Sequence, residues 1–432
     1  MSDQPIARYL LPDDTALLEN DVHIGGVSLR QLAQTYGTPL FVYDEQTLRQ
    51  RARAAAASFS PGTAFASKSF LCGAMARLVV EEGLYVDVAT GGELDVVLRA
   101  GIEPARIVVH GNNKLPEELD RAIALGVHRL VVDNFDEIAR VRERMDSGRT
   151  LDCLVRVTPG VEAHTHEFVR TGQEDSKFGF SLASGAAEAA MNALAQIPGV
   201  RVRGVHFHIG SQIFDGGGFE EALSLIAELV RRSGAEELCV GGGLGVAYVE
   251  GERAMSIEEW AKGVRTAAER LGIDPAVRIT AEPGRAIVAQ AGVTLYRVGT
   301  VKDVPQRRYV AVDGGMSDNP RPVLYGSGYE AFDIAQPLSR RTQRVRIVGR
   351  HCESGDVLID EAWLPESTGV GSVLATPVTG AYGYSMASNY NRVVRPAVVF
   401  VHEGRARVVL RRETLDDLVR LEVEPEGSSD LG

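Results

Sequence analysis

Residues able to do covalent chemistry occupy one kind of position in this sequence, directly after short β-branched runs. The first is Lys68, which follows the apolar run 63–67 and precedes a helical pattern that starts near Cys72. A lysine amine can form a Schiff base with a carbonyl compound when its site favours the neutral form. Most lysines are solvated surface charges, so this interpretation depends on what the other strand ends carry.

The elements around Lys68 alternate between predicted strands and amphipathic helices. Eight strand candidates share a β-branched pattern, at residues 63–67, 85–89, 106–110, 129–132, 152–157, 202–208, 237–240 and 277–281. Helical segments lie between them, at residues 92–100, 116–125, 136–145, 185–196, 219–232 and 257–271. Eight βα units in succession predict a (β/α)8 TIM-like barrel, whose active site lies at the C-terminal strand ends. A doubly wound open sheet is the alternative.

Chemically capable residues follow nearly every predicted strand. Besides Lys68 they include Asp87, Glu93, His110, Asp133, Arg156, His206, His208, Ser211, the glycine run 241–243, Glu282, Gly284 and Arg285. The opposite strand ends show no comparable set, which is the asymmetry expected of a barrel enzyme. We therefore expect these side chains to meet at one rim of the barrel.

A phosphate site is expected after the seventh predicted strand. The glycine run that ends at Gly243 lets backbone N–H groups approach an anion, and Ser211 and the Gly284 turn supply further donors. Phosphate sites of barrels recur next to the last two strands.

A lysine, a carboxylate and a phosphate site together indicate pyridoxal 5′-phosphate (PLP). Lys68 would form the Schiff base, Glu282 would pair with the protonated pyridine nitrogen, and His208 would lie against the ring. A protonated ring nitrogen makes the cofactor a strong electron sink, which favours loss of CO2 from an amino acid.

The chain changes character after Arg285. Short β-runs replace the helical pattern, at residues 292–302, 308–313, 344–348, 356–359, 372–376, 397–401 and 405–411. This spacing predicts a second, all-β domain. The polar, glycine- and serine-rich residues 424–432 predict a disordered tail.

Six motifs, in order, resemble those of the fold-type III PLP-dependent decarboxylases. They are Ala66-Ser67-Lys68, His206-Phe207-His208-Ile209-Gly210-Ser211-Gln212, Gly241-Gly242-Gly243, Ala281-Glu282-Pro283-Gly284-Arg285, Cys352-Glu353-Ser354-Gly355-Asp356 and Gly380-Ala381-Tyr382. The resemblance implies a barrel over residues 41–289 and a β-domain built from residues 1–40 and 290–432. It also implies a homodimer with shared active sites.

Within that family the sequence is most similar to enzymes that convert meso-2,6-diaminopimelate to L-lysine and CO2, the last step of lysine biosynthesis. The resemblance implies catalytic roles for Lys68, His208, Glu282 and Cys352, the last acting from the partner subunit as a proton donor. It implies cofactor contacts from Lys68, His208, Ser211, Gly243, Glu282, Gly284, Arg285 and Tyr382. It implies substrate contacts from Arg285, Arg321, Tyr325, Glu353 and Tyr382.

Other functions remain open on the residues alone. His206 and His208 form an HxH pair and His164-Thr165-His166-Glu167 is ligand-like, so a metal-dependent barrel hydrolase is a rival, although we expect no metal. Lys177 competes with Lys68 for the Schiff base. A catalytically silent barrel that binds a partner is a further alternative. Within the family, ornithine, arginine or carboxynorspermidine is an alternative substrate.

Composition excludes several other classes. The net charge is −12 and the isoelectric point is near 5.4, without a cluster of basic residues, which argues against nucleic-acid binding. The sequence contains no apolar run of about 18 residues, so we expect no membrane interaction. The four cysteines are widely separated and form no CxxC pair, which favours reduced thiols. We therefore expect a cytoplasmic enzyme with a small amino-acid substrate.

Overall fold

The structure is a computed structural model that describes residues 4–146, 148–161 and 175–423. It divides into two compact units, one of residues 46–291 and the other of residues 1–45 together with 292–432. The sequence had suggested divisions after residues 40 and 289. The predicted disordered tail at 424–432 lies outside the described residues. Within the described part of the chain, no helix is long and apolar enough to cross a membrane.

The N-terminal segment contributes strands and one helix to the second of these units. Its elements are β1 (Thr15–Leu17), β2 (Val22–Ile24), β3 (Val27–Ser28), α1 (Leu29–Tyr36) and β4 (Leu40–Asp44). Strands β1 to β3 form a small antiparallel sheet. The side chain of Ser28 accepts a hydrogen bond from Gln31 N and so caps α1, and Gly37, with a φ of 70°, ends the helix.

The first unit is a parallel barrel. Its strands are β5 (Ala64–Ala66), β6 (Tyr85–Val88), β7 (Ile107–Val109), β8 (Arg129–Val132), β9 (Leu151–Thr158), β11 (Val200–Phe207), β12 (Glu237–Cys239) and β13 (Arg278–Thr280), while β10 (Phe180–Ser181) pairs with β9. The strands neighbour one another in chain order from β5 to β13. Ala64 N donates to Ala281 O at 2.9 Å, and Ala66 N donates to Pro283 O at 3.2 Å, so the first and last strands join. The barrel prediction is confirmed, because a doubly wound sheet would reverse the strand order.

One helix precedes the first strand of the barrel, and the other helices of this unit come after strands. They are α2 (Glu45–Ser58), α3 (Gly73–Glu81), α4 (Gly91–Arg99), α5 (Pro116–Leu125), α6 (Phe135–Arg144), α7 (Ala186–Ala195), α8 (Gly217–Ser233), α9 (Ile257–Arg270) and α10 (Arg285–Val288). Thr90, Asn134 and Ser256 cap α4, α6 and α9 by accepting from backbone amides three residues later. Thr90 and Asn134 lie in the short turns directly after β6 and β8, so their caps help fix two of the turns at the end of the barrel where the candidate site lies.

Small and branched side chains fill part of the barrel interior. One buried cluster joins residues of five different strands, namely Ala64, Val108, Val131, Leu154 and Cys239. Such layered packing makes the barrel a solid core rather than a pore, so its chemistry is restricted to the rim.

The second unit contains a large mixed sheet. Its further elements are β14 (Gly292–Val304), β15 (Arg307–Val312), α11 (Arg321–Tyr325), β16 (Phe332–Asp333), β17 (Gln343–Val348), β18 (Val357–Leu364), β19 (Val373–Pro377), β20 (Ala397–His402), β21 (Arg405–Leu410) and α12 (Leu415–Val419). The main strand order is β18-β17-β15-β14-β4-β20-β21, with β19 also paired to β14. The predicted β-domain is confirmed, with the short helices α11 and α12 as additions.

Candidate active site

Lys68 stands in a single 3-10 turn, Ser67–Ser69, directly after β5. Its neighbours Ser67 and Ser69 are buried, whereas Lys68 is exposed. Ser69 Oγ donates to Ala66 O at 2.8 Å and closes the turn. The turn therefore presents the amine at the C-terminal rim of the barrel, as the sequence predicted.

Glu282 follows β13 and is the central charge of the rim. His110 Nε2 lies 2.7 Å from Oε1 of Glu282, and His206 Nε2 lies 2.9 Å from Oε2. All three residues are buried. Burial alone would raise the pKa of Glu282, but the two imidazoles hold that pKa well below its ordinary value. The carboxylate is therefore ionised at neutral pH.

Two more ionisable side chains of the rim have shifted pKa values. Burial raises the pKa of Asp87 to about 7, against the attraction of His110. Burial also lowers the pKa of His208 well below its ordinary value, and the positive charges of Lys68 and Arg156 add to this effect. Gly242 N donates to Nδ1 of His208 at 3.2 Å, which requires that nitrogen to be unprotonated. His208 is therefore a neutral ring at this rim.

The glycine run after β12 makes backbone approaches that no other residue permits. A Cβ added at Gly241, Gly242 or Gly243 would fall inside 3.0 Å of the backbone oxygen of Phe207, Glu282 or Gly210 respectively. Gly243 also has a φ of +111°. The run is thus pressed against the ends of β11 and β13, and we call residues 241–243 the glycine cradle.

Side chains on either side of the glycine cradle hold its surroundings together. Gln212 Nε2 donates to Val246 O, and Val246 N donates to Gln212 Oε1, both at 3.1 Å. Arg285, which is buried, donates to Ser211 Oγ at 2.8 Å and to Tyr248 OH at 2.5 Å. The expected phosphate residues Ser211 and Arg285 are therefore in direct contact.

Gly284 brings the last strand end against the first. A Cβ added there would lie 3.0 Å from Ala66 O and 3.0 Å from Ser69 Oγ, two atoms of the turn that carries Lys68. The structure thus assembles the seven predicted barrel residues at one rim, namely Lys68, His208, Ser211, Gly243, Glu282, Gly284 and Arg285.

The remaining predicted site residues belong to the other compact unit, namely Arg321, Tyr325, Cys352, Glu353 and Tyr382. Arg321 is buried at the start of α11 and donates to Ser327 Oγ at 2.9 Å, and Tyr325 is the last residue of that helix. Tyr382 is half-buried with a φ of +58°.

Cys352 is exposed in a loop that buried polar groups support. The carboxylate of Asp356 accepts from Met316 N at 2.6 Å and from His351 N at 2.8 Å. Asn391 Oδ1 accepts from Cys352 N at 3.2 Å. Side-chain acceptors therefore hold the backbone amides of Cys352 and of the residue before it.

Five residues near the site were assigned no specific catalytic or binding role from the sequence, namely Asp87, His110, Arg156, Gln212 and Tyr248. The first three were expected at this rim, and Gln212 belongs to one of the six motifs. The first three stand in or directly after barrel strands, a signal that was visible in the sequence. Gln212 and Tyr248 lie in loops, where no periodicity marks them.

The opposite rim of the barrel corrects one expectation. This rim also carries ion pairs, because buried Arg129 contacts buried Glu237 at 2.8 Å and half-buried Asp152 at 3.3 Å, and the more exposed Arg278 contacts Glu237 at 2.7 Å. These pairs hold strand starts together with matched charges and are structural in character.

The histidine pair behaves differently from a metal pair. His206 faces Glu282, whereas His208 accepts from the glycine cradle. Among the described residues, the one group with metal-ligand character is His110, His206 and Glu282. Its nitrogen–oxygen separations of 2.7 and 2.9 Å are those of direct hydrogen bonds, shorter than the roughly 3.3 Å between ligand atoms around tetrahedral zinc.

The sequence also offered a second ligand-like segment and a second lysine. The segment His164-Thr165-His166-Glu167 lies outside the described residues. Lys177 is exposed, and its amine lies 5.0 Å from the ring centroid of Phe178.

The rim fits a bound pyridoxal phosphate on its own chemistry. It offers an exposed amine, a buried ionised carboxylate as an acceptor for a ring N–H group, and a cradle of backbone donors that a Cβ would fill. A parallel barrel with this rim defines an enzyme of the PLP-dependent barrel class.

Comparison with known proteins agrees with this class. The family model described as pyridoxal-dependent decarboxylase, pyridoxal binding domain, matches residues 45–289. The diaminopimelate decarboxylase of Mycobacterium tuberculosis is 48% identical over 424 residues, covering 93% of this chain and 95% of that protein. The Bacillus subtilis enzyme of the same name is 47% identical over 420 residues, covering 93% and 95%. The chain therefore belongs to the diaminopimelate decarboxylase family of pyridoxal-dependent decarboxylases.

Solved structures support the same relationship. Diaminopimelate decarboxylase from M. jannaschii in complex with L-lysine has a TM-score of 0.89 at 29% identity, covering 96% of this chain and 99% of that one. The Helicobacter pylori enzyme complexed with L-lysine has a TM-score of 0.83 at 32% identity, covering 91% and 98%.

Proposed function

We propose that this protein decarboxylates meso-2,6-diaminopimelate to L-lysine and CO2 with pyridoxal 5′-phosphate, the last step of lysine biosynthesis. The observation that carries the proposal is the rim that combines Lys68, Glu282 and the glycine cradle. The related enzymes bear this activity in their name, and two of their structures hold L-lysine, the product of the proposed reaction.

The barrel residues have distinct tasks toward the cofactor. When bound, pyridoxal 5′-phosphate supplies an electron sink for the electron pair left by the departing carboxylate. Lys68 would be the covalent attachment point, and ionised Glu282 would accept a hydrogen bond from the ring nitrogen. His208, a neutral ring, would contact the cofactor without adding charge. Ser211, Gly243, Gly284 and Arg285 would hold the phosphate.

The substrate's distal end has an ammonium and a carboxylate, and we assign both to the second unit. Arg321 suits the carboxylate, because a guanidinium binds carboxylates through two parallel N–H bonds. Glu353 is exposed and suits the ammonium. Tyr325 and Tyr382 complete the substrate contacts, and Arg285 and Tyr382 serve both substrate and cofactor. Ornithine lacks the distal carboxylate and would leave Arg321 without its ligand.

We further propose a homodimer in which Cys352 acts as proton donor in the partner's site. The test is complementation between two inactive variants, Lys68→Ala and Cys352→Ala, which are co-expressed or refolded together. Random pairing should recover about a quarter of wild-type activity, because half of the dimers are mixed and each has one intact site. Mixed dimers without activity would contradict the shared site.

The enzyme is proposed to act in the cytoplasm. No disulfide joins the four described cysteines, Cys72, Cys153, Cys239 and Cys352, as expected in a reducing compartment. Fractionation of the native host, with the protein detected by an antibody, tests this location.

The activity itself is tested by CO2 release from diaminopimelate, lysine, ornithine, arginine and carboxynorspermidine. Diaminopimelate should be the preferred substrate. Borohydride should trap the cofactor on Lys68, and Lys68→Ala should lack both the visible absorbance and the trapped adduct. An adduct on Lys177, or equal turnover of ornithine, would contradict the proposal.

A further inference from the structure

Glu282 is hydrogen-bonded to two histidines that belong to the ends of two other barrel strands. His110, directly beyond β7, contacts Oε1, and His206, within β11, contacts Oε2, at 2.7 and 2.9 Å. The three side chains are at most 8% exposed. Each carboxylate oxygen thus has its own donor, which fixes the plane of the carboxylate.

The hydrogen bonds determine where the protons lie. An ionised carboxylate only accepts, so each histidine donates from Nε2. Nδ1 of His206 is buried and makes no hydrogen bond to the described chain, which fits a neutral ring. The pKa of His206 is lowered to about 4, because burial outweighs the attraction of Glu282.

His110 differs from His206 through a second carboxylate. Its Nε2 lies 4.0 Å from Oδ2 of Asp87 as well as 2.7 Å from Glu282. Burial lowers the pKa of His110, but Asp87 and Glu282 together more than offset this and raise it. His110 is thus the more easily protonated of the two histidines, and its protonation makes its hydrogen bond to Glu282 charge-assisted.

Other ionisable groups also face Glu282 from the surrounding strands. Besides the two histidines they are Asp87 on β6, Arg156 on β9, His208 after β11 and Cys239 on β12. Of these groups, His110 and His206 hydrogen-bond to the two carboxylate oxygens, so they orient Glu282. Each oxygen keeps a lone pair for a third donor.

We propose that His110 is a positioning residue, which through its bond to Oε1 holds Glu282 as an oriented anion for the ring nitrogen of the cofactor. The inference rests on the proposed function. His110 acts through Glu282 and touches neither substrate nor cofactor in this role. Its loss should therefore lower kcat more than it changes KM.

The test compares His110→Gln, His110→Asn and His110→Met with the control His128→Gln, a barrel histidine at the opposite rim. A glutamine amide nitrogen can occupy the place of Nε2, whereas the shorter asparagine reproduces Nδ1. We expect His110→Met and His110→Asn to lower kcat by about tenfold or more, with KM within about threefold, and His110→Gln to recover part of the loss.

The bound cofactor supplies a readout that is independent of turnover. Removing His110 raises the pKa of Glu282, so its protonation should occur at higher pH. We expect the acid-side change of the cofactor's visible absorbance, and the acid limb of kcat, to move up by about one pH unit or more in His110→Met. His110→Gln should move them less, and His128→Gln should leave them unchanged.

The possible outcomes separate the two proposals. If wild-type protein fails to take up PLP on Lys68, the proposed function is wrong. If wild type binds PLP while His110→Gln, His110→Asn and the control share its absorbance titration and kcat, the inference about His110 is overturned. This comparison stands even when His110→Met does not fold.

Discussion

Replacing Gly243 by alanine tests the glycine cradle directly. Gly243 has a φ of +111°, and a Cβ there would fall inside 3.0 Å of Gly210 O, a separation that real Cβ atoms essentially never show. The strained backbone costs about 1–3 kcal/mol. Forcing the carbonyl aside costs about 1–3 kcal/mol more. We expect the free energy of unfolding to fall by about 2–6 kcal/mol.

Gly251 provides the matched control, because it separates the two penalties. Its φ is +93°, and an added Cβ would meet nothing within 4 Å. Gly251→Ala should therefore lose only the backbone part, about 1–3 kcal/mol. The difference between the two variants measures the steric conflict alone.

The assay is urea unfolding of both apoproteins, followed by titration with PLP. Gly243→Ala should be less stable than Gly251→Ala by about 1–3 kcal/mol. Because the carbonyl displaced in Gly243→Ala borders the proposed phosphate site, the affinity of this variant for PLP should fall by about tenfold or more. If the two variants unfold alike and bind PLP alike, the cradle argument is refuted.

Three further predictions concern buried charge, pH and substrate choice. Lys114 and Glu137 form a buried ion pair at 2.7 Å. Glu137→Leu should lower the free energy of unfolding by about 3–5 kcal/mol, because it leaves a buried charge without its partner. The double variant with Lys114→Met should lose much less, and thermal unfolding measures both. Burial and three nearby arginines lower the pKa of His128 to about 3. The unfolded chain therefore binds a proton that the folded chain does not, and stability falls as pH drops from 6.5 toward that value. His128→Gln should reduce this slope by up to about 1.4 kcal/mol per pH unit, and an unchanged urea-unfolding profile between pH 6.5 and 4 would contradict it. Arg321→Ala should lower kcat/KM for diaminopimelate, with a loss of transition-state stabilisation of about 2–5 kcal/mol, while its PLP affinity is retained. Arg344→Ala, a change at an exposed arginine, should match wild type in steady-state kinetics.

Local sequence pattern was sufficient for the barrel. The strand predicted at 152–157 is Leu151–Thr158, and the one predicted at 202–208 is Val200–Phe207. Each βα unit buries its own apolar faces, so its periodicity is visible in a short window of sequence. Parallel strands end at a common rim, so the positions of the chemical residues followed from the same pattern.

The local sequence pattern did not predict which distant segments pair in the second unit. Strand β4, an apolar run near the N-terminus, pairs with β14 and with β20 near the other end of the chain. The residues of β4 do not indicate which strands pair with it, because the backbone hydrogen bonds of a sheet are the same whatever the side chains. The additional helix α11, which carries Arg321, was missed for a related reason: five residues are too few to show a helical period.

By itself, the sequence determined which residue types stand at the strand ends, including Lys68, Glu282 and the glycine cradle. It could not say which of them touch. Only closure of the barrel brings His110 and His206 into contact with the two oxygens of the Glu282 carboxylate, one histidine to each oxygen. The charge of Glu282 depends on those distances and on burial, because both Coulomb attraction and desolvation are set by three-dimensional surroundings rather than by position along the chain.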